Sequence, residues 1–314
     1  VARKKGRRSE AAGRAAEAAG RAQRRTRQRR EAPSAPVDGG TAQLWPDPER
    51  ARGYTLFLDG APQSYVDLDD PGYLDFAYQR RLGHILDLVA LEQRPVRVLH
   101  LGGGALTLAR YTAATRPRST QQVLELDGAL VEFVRRELPL PGGSRIRVRV
   151  VDARAGLSRV PDGWADLLIC DVFRGARTPP QLSSVEFLTE ARRTLCPGGW
   201  YAANLTDGPV RGGGGVPLAY LRGQIATARE VFEQLCLLAD PAVLRGRRYG
   251  NAVLLGANAP LPLAELTRRT ATDPHHGRLE HGGCLVDFVA GARPVTDATA
   301  IASPAPPEEG PRGT

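Results

Sequence analysis

At 314 residues, with 42% hydrophobic and 25% charged positions, the chain can bury a substantial core as one large domain or two small ones. The formal charge of +9 sits at one end, because residues 1–32 hold 12 Lys+Arg against 3 Asp+Glu and the remainder balances at 31 of each, which excludes a strongly basic, nucleic-acid-type body. No apolar run approaches the roughly 18 residues of a membrane span and the basic start has no apolar signal core, so the chain reads as a soluble, cytoplasmic protein.

Residues 1–32 are rich in Arg, Ala and Glu and read as disordered or as a transient solvated helix. With no interleaved aromatics they offer no base-stacking platform, and nucleic-acid contact is not expected of them. Pro33, Pro36, Gly39, Gly40, Pro46 and Pro48 extend this arm as a linker, so residues 1–50 are expected to lie outside the fold. Tyr54–Leu58 and Ser64–Leu68 flank Asp59-Gly-Ala-Pro-Gln63 and predict a small β-hairpin element over 51–70. Asp70-Pro71 is expected to open a helix reaching about Leu91, with Leu74, Tyr78, Leu82, Ile85 and Val89 at helical spacing and His84 as a structural residue on the polar face.

The stretch Val96–Arg110 reads as a buried strand, a turn through Gly102, Gly103 and Gly104, and the opening of a helix. The next strand, Gln122–Asp127, carries Glu125 about twenty residues beyond the turn, the offset at which a carboxylate takes ribose hydroxyls. Thr107 stands where a dinucleotide fingerprint has its third glycine, which favours an S-adenosylmethionine-type ligand over NAD. Strand and helix then alternate through Leu205, predicting an α/β fold with a doubly wound, Rossmann-like sheet. Glu125, Asp152 and Asp171 stand at strand tips, where a ligand crevice belongs, and Asp152 is equally suited to capping the helix after it. A last helix from Pro217 and two strands complete an antiparallel edge, so the nucleoside-binding domain spans 71–290. Residues 291–314, rich in Pro, Ala and Gly, read as a disordered tail. Cys170, Cys196, Cys236 and Cys284 are too widely spaced for a Cys-x-x-Cys site, and His275, His276 and His281 read as solvated loop residues, so no metal is assigned.

Leu58-Asp-Gly-Ala-Pro-Gln63, Phe76-Ala-Tyr78 with His84, Leu101-Gly-Gly-Gly104, Leu124-Glu-Leu-Asp127, Asp152-Ala153 and Cys170-Asp171 resemble, in order and spacing, the spermidine synthases, or polyamine aminopropyltransferases, across roughly residues 54–257. The resemblance implies a class I methyltransferase-like fold with an amino-terminal β domain, a homodimer, and S-adenosylmethionine or its decarboxylated form as co-substrate. It implies that Gln63 and the glycine turn line the sulfonium nucleoside, that Glu125 binds ribose, and that Asp152 and Ala153 sit near adenine. Asp171 would be the first acid of the family's Asp-x-x-Asp loop, with Tyr78 orienting the acceptor beside it.

Three departures are visible. Ala105 and Leu106 follow the glycines where the family has Asp-Gly, Tyr78-Gln79-Arg80 replaces Tyr-His-Glu, and Arg174 replaces the second acid of Asp-x-x-Asp. The expectation is a retained nucleoside half and an altered acceptor half, with a small-molecule acceptor that is an amine or an anion attracted by Arg80 and Arg174. The reaction implied is transfer of an aminopropyl or related alkyl group. Methyl transfer from S-adenosylmethionine and non-catalytic nucleoside binding are the alternatives.

Overall fold

The computed structural model describes residues 32–210 and 215–307. The expectation for the basic arm therefore lies outside the described residues, except at its last position. Residues 33–50 are not a linker. Strands β1 (Ser34–Val37), β2 (Gly40–Pro46), β3 (Gly53–Leu58) and β4 (Ala61–Asp67) form one antiparallel sheet in that order. The prolines are compatible with it because Pro36 lies in the edge strand and Pro46 at a strand end. Ala42 and Leu44 alternate inward and are no more than 1% exposed, a period-two signal that the proline content obscured.

Helix α1 runs Ala77–Leu88, starting later than Asp70-Pro71 suggested. Asp70-Pro-Gly-Tyr73 instead closes a β-turn, with the Tyr73 N–H donating to the Asp70 carbonyl at 2.9 Å. Pro followed by Gly is turn chemistry, and here it outweighs the capping preference of Asp. The apolar face of α1, with Leu82, Ile85 and Leu86 fully buried, packs in one core cluster with Val98 and Ile169 of the main sheet. Buried Arg116 donates to the carbonyls of Leu86, Asp87, Ala90, Leu91 and Arg94, satisfying the end of this helix and the turn after it. His84 Nε2 sits 2.9 Å from Asp273 Oδ1, tying α1 to the chain after the main sheet's central strands.

The main sheet contains β5 (Arg97–Leu101), β6 (Thr120–Glu125), β7 (Ile146–Val150), β8 (Ala165–Cys170), β9 (Leu195–Asp207), β10 (Gln234–Ala239), β11 (Gly250–Ala257) and β12 (Arg278–His281). Their order is β12-β10-β11-β9-β8-β5-β6-β7, parallel from β9 through β7 and antiparallel on the β11 side. This is the α/β, class I methyltransferase-like architecture that the alternation pointed to. Helices α2 (Thr107–Thr115), α3 (Gly128–Glu137), α4 (Ala153–Leu157), α5 (Val185–Thr194) and α6 (Ala219–Arg229) follow the strands in turn. After α7 (Pro241–Leu244), helices α8 (Leu263–Thr272) and α9 (Gly282–Val289) bracket β12, so His281 belongs to a strand end and not to a loop. Chain order reverses between β5 and β8, which makes their carboxyl ends the switch point where an open α/β sheet binds its ligand.

The tail also differs from expectation. Residues 291–307 are described, and Ser303 within them is fully buried. A proline-rich composition removes backbone donors and regular structure, but it does not prevent side chains elsewhere from supplying partners.

Candidate active site

The tips of β5, β6, β7 and β8, the turn of the β1–β2 hairpin and the start of α1 enclose one cavity of about 700 Å³. Gln63, Tyr78, Gly102, Gly103, Gly104, Glu125, Asp152, Ala153 and Asp171 all line it. Motif residues as far apart as Gln63 and Asp171 need not meet, so their convergence on one crevice is the main result of the fold for this chain.

The glycine turn has a steric reason to be glycine. Gly102 has φ +85°, and a Cβ there would run into the backbone carbonyl oxygen of Asp171. The tips of β5 and β8 thus touch backbone to backbone at the switch point. The Gly103 N–H donates to Glu125 Oε2 at 2.7 Å, and the Asp127 N–H donates to Oε1 at 3.0 Å. Two backbone donors therefore fix the Glu125 carboxylate across the top of β6, facing the cavity. Thr107, in place of a third glycine, donates its hydroxyl to the Tyr65 carbonyl at 2.8 Å. It anchors α2 to the small sheet rather than shaping a phosphate cradle. Asp152 Oδ1 accepts from the Arg154 and Ala155 N–H groups at 3.0 Å each, so it is a helix cap as well as a lining residue.

The small sheet is part of the wall. Asp127 caps α3 through the Leu130 N–H at 2.8 Å and accepts the Gly39 N–H at 2.9 Å with its other oxygen. That bond draws the β1–β2 turn onto the main sheet, placing Asp38 and Gly39 on the cavity lining. Sequence reasoning missed both, because the stretch was read as a linker.

At the tip of β8 the Asp171 carboxylate is half-buried, and its removal from water raises its pKa to about 6 against the lowering influence of bonds from Asn204 and Tyr78. Asn204 Nδ2 donates to Asp171 Oδ1 at 2.8 Å, and Asn251 Nδ2 donates to Asn204 Oδ1 at 3.0 Å. A chain of amides from β11 through β9 thus orients the carboxylate. The Tyr78 hydroxyl lies 3.4 Å from the Gln63 carbonyl, and burial together with the Asp171 charge holds its phenol well above the usual pKa. Gln79, 2% exposed, donates Nε2 to the Tyr78 oxygen at 3.3 Å. His100 also lines the cavity. Burial pushes it down to about 4, so at neutral pH it is an uncharged partner of Gln121 Oε1 at 2.9 Å.

Asn204→Ala is expected to raise the pKa of Asp171 above about 6, and with it the acid limb of the kcat/KM profile of any reaction that needs Asp171 ionised. The sign follows from the bond removed: Asn204 favours the carboxylate, so without it the group ionises later as pH rises. A pH–rate series on wild type and variant, with the limb unmoved or moved to lower pH, would contradict this assignment.

The departures resolve unequally. Arg80 is not on the cavity lining; its Nε donates to the Leu74 carbonyl at 2.6 Å, holding the segment before α1. The expectation that it draws an anion into the site is therefore corrected. Ala105, 1% exposed, packs with Leu106 and Ala109 beneath the small sheet rather than on the lining. Its lack of charge is matched to an apolar cluster. Arg174 does line the cavity, in a tight hairpin with Arg177. Among the described residues it shares the lining with six acidic residues, Asp38, Asp59, Glu125, Asp127, Asp152 and Asp171, so the lining as a whole is acidic.

Among solved structures, a probable spermidine synthase from Corynebacterium glutamicum is 31% identical to this chain, aligning 84% of it with 96% of its own length at a TM-score of 0.77. A spermidine synthase in complex with the transition-state analogue AdoDATO shares the fold at 15% identity and a TM-score of 0.53, covering 85% of this chain and 84% of its own. Among curated proteins, the polyamine aminopropyltransferase of Chromobacterium violaceum is 24% identical over 149 residues, 48% of this chain and 56% of that protein. The chain spans about half the length of the curated relatives it matches. No protein-family model matches it. No helix among the described residues is long and apolar enough to cross a membrane, and no group of His, Cys, Asp and Glu among them could hold a metal ion.

Proposed function

Because the chain belongs to the spermidine synthase, or polyamine aminopropyltransferase, family as a divergent member, we propose that its cavity binds a sulfonium nucleoside and transfers an aminopropyl or related alkyl group to an amine. The observation that carries this reading is the shared crevice, with Glu125 fixed by two backbone donors at one strand tip and the half-buried Asp171 at the tip two strands away. Glu125 takes the ribose hydroxyls, Gln63 and Gly102–Gly104 border the sulfonium tail, and Asp152 and Ala153 border the base. Asp171, oriented by Asn204, holds the acceptor ammonium and takes the proton that frees its lone pair. Tyr78 stays protonated and directs the acceptor against it. The amine nitrogen then forms its bond to the alkyl carbon as the carbon–sulfur bond breaks, leaving a neutral thioether nucleoside. Positioning the two reactants in line supplies much of the rate.

The acidic lining favours cationic ligands at both ends. It also supports the decarboxylated form of S-adenosylmethionine as donor, since that form brings an ammonium without an α-carboxylate to be repelled. A homodimer remains what the family resemblance implies for the whole protein. Titration calorimetry is expected to show the decarboxylated nucleoside binding at least about tenfold more tightly than S-adenosylmethionine, a difference of about 1.4 kcal/mol. Equal affinity, or preference for S-adenosylmethionine, would turn the reading toward methyl transfer.

A further inference from the structure

Residues 293–304 have no regular secondary structure, yet they bond to residues that directly follow two parts of the cavity lining, Asp152–Ala153 and Asp171–Ala176. At the first part, Arg154 donates from both terminal nitrogens to the Asp297 carboxylate at 2.7 and 2.6 Å, directly after Asp152 and Ala153. The Asp297 N–H donates to Glu186 Oε2 at 3.0 Å, and the Val185 N–H donates to the Val295 carbonyl at 2.8 Å, which fixes the segment on the start of α5. At the second part, the Thr178 N–H donates to Ser303 Oγ at 2.8 Å and the Ser303 N–H donates back to the Thr178 carbonyl at 3.2 Å. Arg177 Nε donates to the Ser303 carbonyl at 2.5 Å, and the Tyr249 hydroxyl donates to the Pro304 carbonyl at 3.1 Å.

Thr178 and Arg177 end the loop that begins at Asp171. Val172, Phe173, Arg174, Gly175 and Ala176 of that loop line the acceptor end of the cavity. The inner part is a tight turn, in which the Arg174 N–H donates to the Arg177 carbonyl at 2.9 Å and Gly175 has φ +60°. Such a turn has few partners of its own. At its Arg177–Thr178 end it is bonded to a segment more than 100 residues away. Ser303 is fully buried, so its bonds to Thr178 do not compete with water.

We propose that residues 293–304 are a strap that sets the position of the Asp171–Thr178 loop, with Ser303 and Asp297 as positioning residues for the acceptor. Asp297 fixes the strap on the nucleoside wall through Arg154, and Ser303 fixes the acceptor wall on the strap. The inference rests on the functional reading above for its kinetic consequence and on geometry alone for its structural one.

The test uses the full chain with Ser303→Ala and, separately, Asp297→Ala, read by hydrogen exchange over residues 171–178, by calorimetric binding of methylthioadenosine, and by kinetics with the decarboxylated nucleoside and an amine. Both variants are expected to speed exchange in 171–178 and raise the acceptor KM, Ser303→Ala by about fivefold for the bond from the Thr178 N–H, and Asp297→Ala by at least as much, since it removes the bonds from Arg154 and Ser184. kcat and methylthioadenosine affinity should stay within about twofold, because Glu125 and the glycine turn are untouched. Unchanged exchange over 171–178 would overturn the strap, as would a loss of nucleoside affinity as large as the rise in acceptor KM. If the wild-type chain turns over no amine, the functional reading fails, and the exchange comparison still decides whether the strap holds the loop.

Discussion

Asp171→Asn is expected to lower kcat by about 10³-fold while leaving nucleoside affinity within about threefold. The substitution keeps the shape of the side chain and an oxygen that can still accept from Asn204 Nδ2, now 2.8 Å away, so the fold around β8 and β9 should persist. What disappears, on the proposed reading, is the charge that holds an ammonium and the base that accepts its proton. Residues 172–178 contain no Asp or Glu, and Arg174 stands where the family resemblance places a second acid, so no neighbouring carboxylate on that loop can substitute. Steady-state kinetics and calorimetry on the same preparation check the split. Activity within tenfold of wild type would remove Asp171 from the chemistry.

Gly102→Ala should have the largest effect on binding. At φ +85° a Cβ strains the backbone, and it also meets the Asp171 carbonyl carbon at 3.0 Å and Val172 Cγ2 at 3.3 Å, inside ordinary contact. The tips of β5 and β8 would have to separate, moving the nucleoside and acceptor walls together. A loss of about 3 kcal/mol in stability and at least about 30-fold in nucleoside affinity is expected. Gly143→Ala separates strain from collision, because Gly143 has φ +80° but nothing within 4 Å of an added Cβ. It should lose only about 1 kcal/mol, from strain, and bind nucleoside as wild type does. Denaturant unfolding and calorimetry on both variants distinguish these results, and equal behaviour of the pair would mean that the close approach of β5 and β8 carries no weight.

The site was legible where chemistry is local. A glycine turn after an apolar strand, an acid one strand later and an acid at the end of a third strand each have a short-range signature, and the parallel sheet does the rest by aligning strand ends. What was not legible depends on partners distant in sequence. Asn204 lies within the apolar run Tyr201–Leu205, and its bonds to Asp171 and Asn251 exist only because β8, β9 and β11 are neighbours. The available signal was the amide itself, since a polar side chain in a buried strand requires a partner. Arg80 shows the opposite failure. Its charge suggested a ligand contact, but the late start of α1 leaves the Leu74 carbonyl for it to satisfy. The prolines of residues 33–50 and 291–307 suggested chain outside the fold. In the first stretch alternating Ala42 and Leu44 form a sheet, and in the second the Ser303 and Asp297 side chains add to backbone bonds that hold it on the fold.

The most direct measurement is product identification by mass spectrometry after incubating the protein with decarboxylated S-adenosylmethionine or S-adenosylmethionine and a panel of amines. The account predicts methylthioadenosine together with an aminopropylated amine, formed from the decarboxylated nucleoside and lost in Asp171→Asn. S-adenosylhomocysteine with a methylated acceptor, or no product while nucleoside binding is intact, would contradict it.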